Sequence, residues 1–473
     1  MFLAAFLFCT PINIHLIFLK RFVMYNLDEY KLQLKYMFRS VLRENLFCDT
    51  KKRVLLNNEN LTDLEMQRVC NQQLLNSLIS AKKNIPKYKG CKIPYQLSNI
   101  EEYVRTEFPI INKETLIENA QFYPSPSLRH LVRFEGKTSG TSGMPLKIYR
   151  DFNSILWENA FLLRHWDWCG YKRGMPRCLL RGDEVVPIQR KSPPFWIFNR
   201  TDNQLILSSR HLSESTADLF VGEIEKLQPY LLQAYPSTVF ELAQYLDRRN
   251  ISLNIPFVFT SSEVLYPYQR LLISKVFNCR VMDLYGMAER VALATECEHG
   301  NLHVNTDYSF VEIVDNDGNP TDDFGQVVGT SYHNHLMPLI RYQISDMAKW
   351  RKGICACGRR YPMIESIEGR VGDTIFDVDG KPISQALITF AFSSLSNIKC
   401  TQVAQISNDL IEIRVVPFAN ASPDLALSVV ANFKEKVCSN VSIKVKICDD
   451  IPRTKSVKFK WIVNECGRSY VQN

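Results

Sequence analysis

The chain has 473 residues, 46% of them hydrophobic and 22% charged, with a formal net charge of +8. At roughly 150 residues per domain this length allows two or three domains and at least one large core. The charges are mixed in sign along the chain rather than gathered into a tail or stripe, so nucleic acid is not the expected partner.

Residues Phe2 to Leu19 are mostly apolar, yet Pro11, Asn13 and His15 interrupt them and no basic residue precedes them. That makes a poor signal peptide, and the run is borderline for a membrane span, which needs about 20 apolar residues. Two readings of residues 1–23 stay open: a start codon placed upstream of Met24, or a membrane anchor. Membrane contact is therefore undecided at this point. The 14 cysteines, scattered from Cys9 to Cys466, lack the dense spacing of a secreted disulfide scaffold, so a reducing, cytoplasmic setting is expected.

From Met24 to Gln121 the apolar spacing predicts helices, as in LTDLEMQRVCNQQLLNSLISAKK, where apolar residues recur three and four apart. Arg133 to Asp151 changes to a Gly/Ser/Thr-rich loop followed by the strand-like LKIYRDF. Strand-like runs (RCLL, QLILS, LLQAY, IPFVFT, CRVMDLYG) then alternate with helical ones (ADLFVGEIEKLQPYL, STVFELAQYLDRR, YPYQRLLISKVF), which predicts a layered α/β core. Asn301 to Trp350 reads as β-rich. Beyond Gly372 a separate alternation of strands and helices is enough for an independent domain of about 100 residues.

The most informative string is Lys137 to Lys147, KTSGTSGMPLK. Two glycines and four hydroxyls (Thr138, Ser139, Gly140, Thr141, Ser142, Gly143) let backbone N–H groups and Oγ atoms converge on one anion, and phosphate is the natural guest. It is not a Walker A loop, because the required earlier glycine would fall at Leu131.

This string resembles the phosphate loop of the adenylate-forming superfamily, in particular its phenylacetate-CoA ligase and capsular-polysaccharide branch. Four further segments resemble that family in the same chain order: DLYGMAE at 283–289, IRYQISD at 340–346, EGRVGD at 368–373 and IPRTKSVKFK at 451–460. The resemblance covers most of the chain after Leu131. It implies a large N-terminal adenylation body, layered α/β with a β-rich subdomain (24–370), and a small mobile α+β C-terminal domain (371–473).

By the same resemblance Tyr285 and Gly286 lie against the adenine and Glu289 holds magnesium, for which a carboxylate is a suitable hard ligand. Asp346 accepts the ribose hydroxyls, Arg370 reaches ribose or phosphate beside a hinge at Gly372 and Asp373, and Lys458 is the catalytic lysine. Lys147 closes the phosphate loop. Tyr235-Pro236-Ser237 and Thr260 to Glu263, with Ser262 and Glu263, resemble segments bordering the adenine and acyl sites, and could equally be strand-end turns. Three residues depart from the pattern: Ala288 where threonine is usual, and Ser345 and Val457 where glycine is usual.

Cys297, His303, Cys355 and Cys357 could supply a thiolate-rich tetrahedral set of the kind zinc prefers, and their order resembles a zinc-bearing pattern in part of the phenylacetate-CoA ligase branch. His299 competes with His303 as ligand, and reduced thiols without metal are the alternative. The expected activity is ATP- and Mg2+-dependent conversion of a carboxylic acid to its acyl-adenylate. The acyl group would pass to coenzyme A or to an amine on a surface sugar. A catalytically degraded nucleotide-binding relative is the rival reading, and a homodimer stays open.

Overall fold

The computed structural model describes residues 27–94, 99–126, 133–137, 146–183 and 185–368, and 375–466 apart from 379–382, 384–387, 389–390, 393–394, 396–397, 419–420, 438–439 and 453–459. Residues 1–23, the loop from Thr138 to Gly143, Arg370 with Gly372 and Asp373, and Val457 with Lys458 thus lie outside the described residues.

Helices α1 (Leu27–Arg43), α2 (Leu46–Asn58) and α3 (Asp63–Asn84) open the fold. Local chemistry sets where they begin. Asn45 accepts from the Cys48 amide, and Thr62 and Glu65 form a reciprocal capping box, each cap worth about 1 kcal/mol. Helices α4 (Ile100–Glu107) and α5 (Lys113–Glu118) lead to an antiparallel hairpin of β1 (Arg133–Lys137) and β2 (Lys147–Asp151), with Lys137 opposite Lys147. Asp151 then caps α6 (Phe152–Asp167), accepting from the Ser154 amide at 2.6 Å.

The central strands are β3 (Arg177–Arg181), β4 (Trp196–Asn199), β5 (Gln204–Ser208), β6 (Leu231–Ala234), β7 (Phe257–Ser261) and β8 (Arg280–Gly286). Between the later ones run α7 (Ala217–Leu227), α8 (Pro236–Arg248) and α9 (Pro267–Val276). Pro at the first position of α8 and α9 presets φ for the helix. Strands β8, β7, β6, β3 and β5 lie side by side in that order and run parallel. β5 is buried along its whole length and β3 everywhere but Arg181, as strands covered on both faces must be. After β3 the chain places β5 on one side and then returns to place β6 on the other. Strand order therefore reverses between β3 and β6, where parallel sheets open a crevice at their carboxyl ends.

The β-rich segment does not form a separate sheet. β9 (Leu293–Glu296), β10 (Leu302–Val304), β11 (Ser309–Val314), β12 (Gly325–Ser331), β13 (Tyr342–Arg351) and β14 (Met363–Glu368) continue from β8 as antiparallel neighbours in one 12-stranded sheet. Within the β-rich stretch the run HVNTDYSFVEIVD is broken between β10 and β11. Its Asn305 and Asp307 are drawn to the buried Arg164 guanidinium at 2.7 and 2.9 Å, a charge that the interior tolerates only when paired.

A second unit has its own sheet, in the order β17-β16-β15-β18. It is built from β15 (Ile398–Gln405), β16 (Leu410–Pro417), α10 (Leu425–Lys436), β17 (Ser442–Ile447) and β18 (Ile462–Asn464). Val403, Ile411, Ile413, Val429 and Phe433 form its core. Polar residues interrupt β15. One of them, Gln405, is buried and exchanges hydrogen bonds with both backbone groups of Phe376 at 2.8 and 2.9 Å.

Candidate active site

Arg181, Tyr235, Ser262 and Tyr285 follow one another across the carboxyl ends of β3, β6, β7 and β8. The register sets Leu180 beside Ala234, Ala234 beside Thr260 and Thr260 beside Asp283. Arg181 lies over the Tyr235 ring at 4.9 Å and donates to Ser262 Oγ at 2.8 Å. Ser262 is held at φ 72, a left-handed conformation that non-glycine residues adopt mainly where their surroundings enforce it. Glu263 turns toward α8 and accepts from the Ser237 amide and hydroxyl at 3.0 and 3.1 Å, where the positive end of the helix favours a carboxylate. Beneath them Asp283 accepts from Thr260 at 2.6 Å. Burial pushes its carboxyl up to about 6, with the nearby Glu296 adding to the effect.

Two residues singled out for the nucleotide meet directly: the Tyr285 hydroxyl donates to Asp346 Oδ2 at 2.8 Å. Asp346 comes from β13, so the ring expected beside the adenine and the carboxylate expected at the ribose are joined across the sheet. Beyond β8, Glu289 Oε1 accepts from the Tyr342 hydroxyl at 3.2 Å.

The β1–β2 hairpin carries the hydroxyl-rich loop at its tip, since Lys137 and Lys147 are paired at the loop's two ends. Lys147 is largely exposed and sits 3.8 Å from Glu135 on the same hairpin. Arg150 ties the hairpin to the Glu289 segment by donating to the Ala288 carbonyl. Burial, with Arg290 adding, lowers the Arg150 guanidinium to about 10, so it stays charged at neutral pH. Gly136 makes room for it, because a Cβ there would fall 2.4 Å from Arg150 Nη2. Arg150 and Arg181 escaped the sequence reading. Arg181 left a signal, a charge closing an otherwise apolar strand, whereas nothing local marks Arg150.

The C-terminal unit meets the body at α8 and α9. Trp461 packs edge-on against Tyr266 with ring centroids 4.3 Å apart, Arg248 lies 4.3 Å over Phe418 and Gln244 donates to the Lys399 carbonyl at 3.3 Å. Trp461 follows Lys458 closely in the chain, and Tyr266 follows Glu263 closely. Trp461 is thus held beside Tyr266, near the carboxyl end of β7.

The ligand atoms of Cys297, His303, Cys355 and Cys357 lie within 4.8 Å of one another. Cys297 and Cys355 sulfurs are 3.6 Å apart and Cys357 Sγ is 3.4 Å from His303 Nε2. Around a tetrahedral zinc with bonds of about 2.3 Å to sulfur, the sulfurs would stand about 3.8 Å apart, so the set fits. His303 Nδ1 donates to the Tyr361 carbonyl at 2.9 Å, which leaves the Nε2 lone pair facing the thiols. Of the two competing histidines the structure brings His303 into the cluster, whereas His299 contributes a backbone amide to Cys297 Sγ at 3.4 Å. Asn301 donates to Cys355 Sγ at 3.0 Å and the Arg359 amide to Cys357 Sγ at 3.4 Å.

An open α/β sheet with this crevice, followed by a small second unit, is the architecture of the adenylate-forming ligases. The CapK C-terminal domain family matches residues 375–465. Protein CapK of Staphylococcus aureus is 23% identical over 363 residues, 76% of this chain and 80% of CapK. Phenylacetate-coenzyme A ligase of Pseudomonas putida is 25% identical over 162 residues, 32% of this chain and 36% of the ligase. Among solved structures, a 2-hydroxyisobutyryl-CoA ligase in its postadenylation state with 2-HIB-AMP superposes with a TM-score of 0.69 at 18% identity, covering 86% of this chain and 91% of the other. The same ligase in its thioesterification state gives a TM-score of 0.52 at 17% identity, over 87% of this chain and 92% of the other. The chain is thus similar in sequence to CapK and to phenylacetate-CoA ligase and shares the fold of the adenylate-forming CoA ligases.

Proposed function

We propose that this protein uses ATP to convert a carboxylic acid into its acyl-adenylate and then transfers the acyl group to coenzyme A. The observation that carries the reading is the Tyr285 to Asp346 hydrogen bond at the carboxyl ends of the parallel strands, beside Glu289 and a hairpin whose loop suits phosphate. The superposed ligase structures, solved with 2-HIB-AMP and with CoA, support the same chemistry.

In this mechanism the acid's carboxylate attacks the α-phosphorus of ATP and pyrophosphate leaves. Both reactants are anions, so cationic groups and N–H donors must offset their repulsion and the charge that builds on the leaving group. Asp346 holds the ribose and Tyr285 lies against the adenine. The 138–143 loop, with Lys147, surrounds the phosphates, and Lys458 bridges carboxylate and α-phosphate. Arg150 and Arg370 add fixed positive charge, Arg150 beside Ala288, where the family's usual threonine hydroxyl is missing. Glu289 would hold magnesium, which neutralises phosphate charge when bound.

The boundaries 24–370 and 371–473 then mark a body and a lid. The higher TM-score against the postadenylation complex supports an arrangement suited to the first half-reaction, and a hinge at Gly369 to Asp373 would let the lid turn for the second. Cys297, His303, Cys355 and Cys357 would hold a structural zinc, since four protein ligands leave no open position. An amine acceptor on a surface sugar is the second reading, resting on the resemblance of the sequence strings to the capsular-polysaccharide branch.

Pyrophosphate release with a panel of aryl, alkyl and amino acids, measured with coenzyme A or amino sugars as acceptor, tests the proposal. Release that depends on one acid and is lost in Lys458→Ala is expected. Mg-ATP binding in calorimetry without pyrophosphate release for any acid would leave the degraded nucleotide-binding relative in its place, and absence of Mg-ATP binding would overturn both readings.

A further inference from the structure

Helix α1 presents two faces, and the body covers one. Tyr36 and Ser40 are buried, and Ser40 Oγ accepts from Asn199 at 2.8 Å. On the opposite face Leu34, Met37, Phe38 and Val41 are 44%, 40%, 65% and 58% exposed. Their spacing of three and four residues places them in one stripe. Leu46 and Phe47 at the start of α2 add to the exposed apolar surface at 80% and 69%. Single exposed apolar residues need no explanation, but a run of them on adjoining helices marks a surface that is used.

Charge decides what the surface suits. Between Lys31 and Asn60 the acidic residues are Glu44, Asp49 and Glu59. Each is taken by an arginine of the body: Arg177 at 2.6 Å, Arg173 at 2.7 Å and Arg164 at 3.6 Å. Lys31, Lys35 and Arg53 stand exposed on the same two helices, so the outward charge beyond the first turn of α1 is positive. Upstream, residues 1–27 contain no acidic residue, and the apolar run from Phe2 to Leu19 ends in Lys20-Arg21.

We propose that α1 and α2 form a docking surface for an anionic membrane, laying the apolar stripe into the bilayer interface with Lys31, Lys35 and Arg53 among the lipid headgroups. Amphipathic helices with basic flanks bind this way, by apolar burial and attraction to anionic lipid together. A second copy of the chain fits less well, because a two-fold interface would set the same basic rim against itself. Among the described residues no helix is long and apolar enough to cross a membrane, and α1 lies along the body as an interfacial helix would.

The test is co-sedimentation of the full chain with phosphatidylcholine vesicles, with and without phosphatidylglycerol. The variants are Phe38→Glu/Val41→Glu/Phe47→Glu and Lys31→Glu/Lys35→Glu, all at exposed positions, with thermal melting to verify an unchanged fold. Binding to anionic vesicles that falls about tenfold or more in each variant, and likewise on neutral vesicles, is expected. Equal binding by wild type and variants would assign any affinity to residues 1–23 and overturn the proposal. So would absence of binding, or a dimer in sedimentation velocity that the apolar variant dissociates.

Discussion

Replacing Asp346 with Asn tests the nucleotide reading most directly. The Asp346 carboxylate accepts from the Tyr285 hydroxyl at 2.8 Å, and a carboxylate has capacity left for two ribose hydroxyls. Hydrogen bonds to a charged acceptor contribute about 1.5–3 kcal/mol each, and neutral ones about 1. Asn keeps one acceptor oxygen but loses the charge and one of the two ribose contacts, so the cost in ATP binding should be about 2 kcal/mol, or about 30-fold. Steady-state pyrophosphate release, with ATP varied at saturating acid, should show that rise in KM for ATP with KM for the acid unchanged. Tyr285→Phe removes only the hydroxyl that orients the carboxylate and should cost about fivefold. Melting temperatures of both variants should stay near that of the parent, because Asp346 is only half-buried. An Asp346→Asn enzyme with the parent's KM for ATP would refute the ribose assignment.

Elemental analysis should find about one zinc per chain. Cys355→Ser should release it and lower the melting temperature by several degrees, while the parameters for ATP stay unchanged. Arg181 sits at the strand-order reversal, donating to Ser262 and lying over the Tyr235 ring. Arg181→Ala should raise KM for the acid by about tenfold and leave KM for ATP alone, whereas the opposite pattern would assign Arg181 to the nucleotide. The buried Asp283 carboxyl, raised to about 6, binds its proton more tightly in the folded than in the unfolded chain. Stability should therefore be greatest, as far as this group goes, below its unfolded value near 4 and fall as pH rises to about 6, by up to about 3 kcal/mol. Asp283→Asn should flatten that part of the profile in denaturant melts, and an unaltered profile would show that another group is responsible.

Elements whose local pattern and environment agree were legible in the sequence. The buried parallel strands read as apolar runs, and the helices between them as amphipathic ones, because each buries its apolar side where its own periodicity directs. The family strings gave Tyr285, Glu289 and Asp346 as candidates, and the four metal-ligand candidates could be named from residue type. Strand β15 and the break between β10 and β11 were not legible, since Gln405 and Asp307 owe their burial to partners far away in the chain, Phe376 and Arg164.

By itself, then, the sequence determined the buried parallel strands and the amphipathic helices between them, where the phosphate-suited loop begins, and which residue types could perform adenylation or hold zinc. Tertiary structure alone decided which of them meet. It joined Tyr285 to Asp346, chose His303 over His299, set Arg150 against Ala288 and Arg181 at the strand-order reversal, and left the outer face of α1 uncovered. The physical reason is range: backbone preference and apolar periodicity act over a few neighbouring residues, whereas a site is made of side chains brought together by sheet order and by the pairing of buried charges across the whole fold.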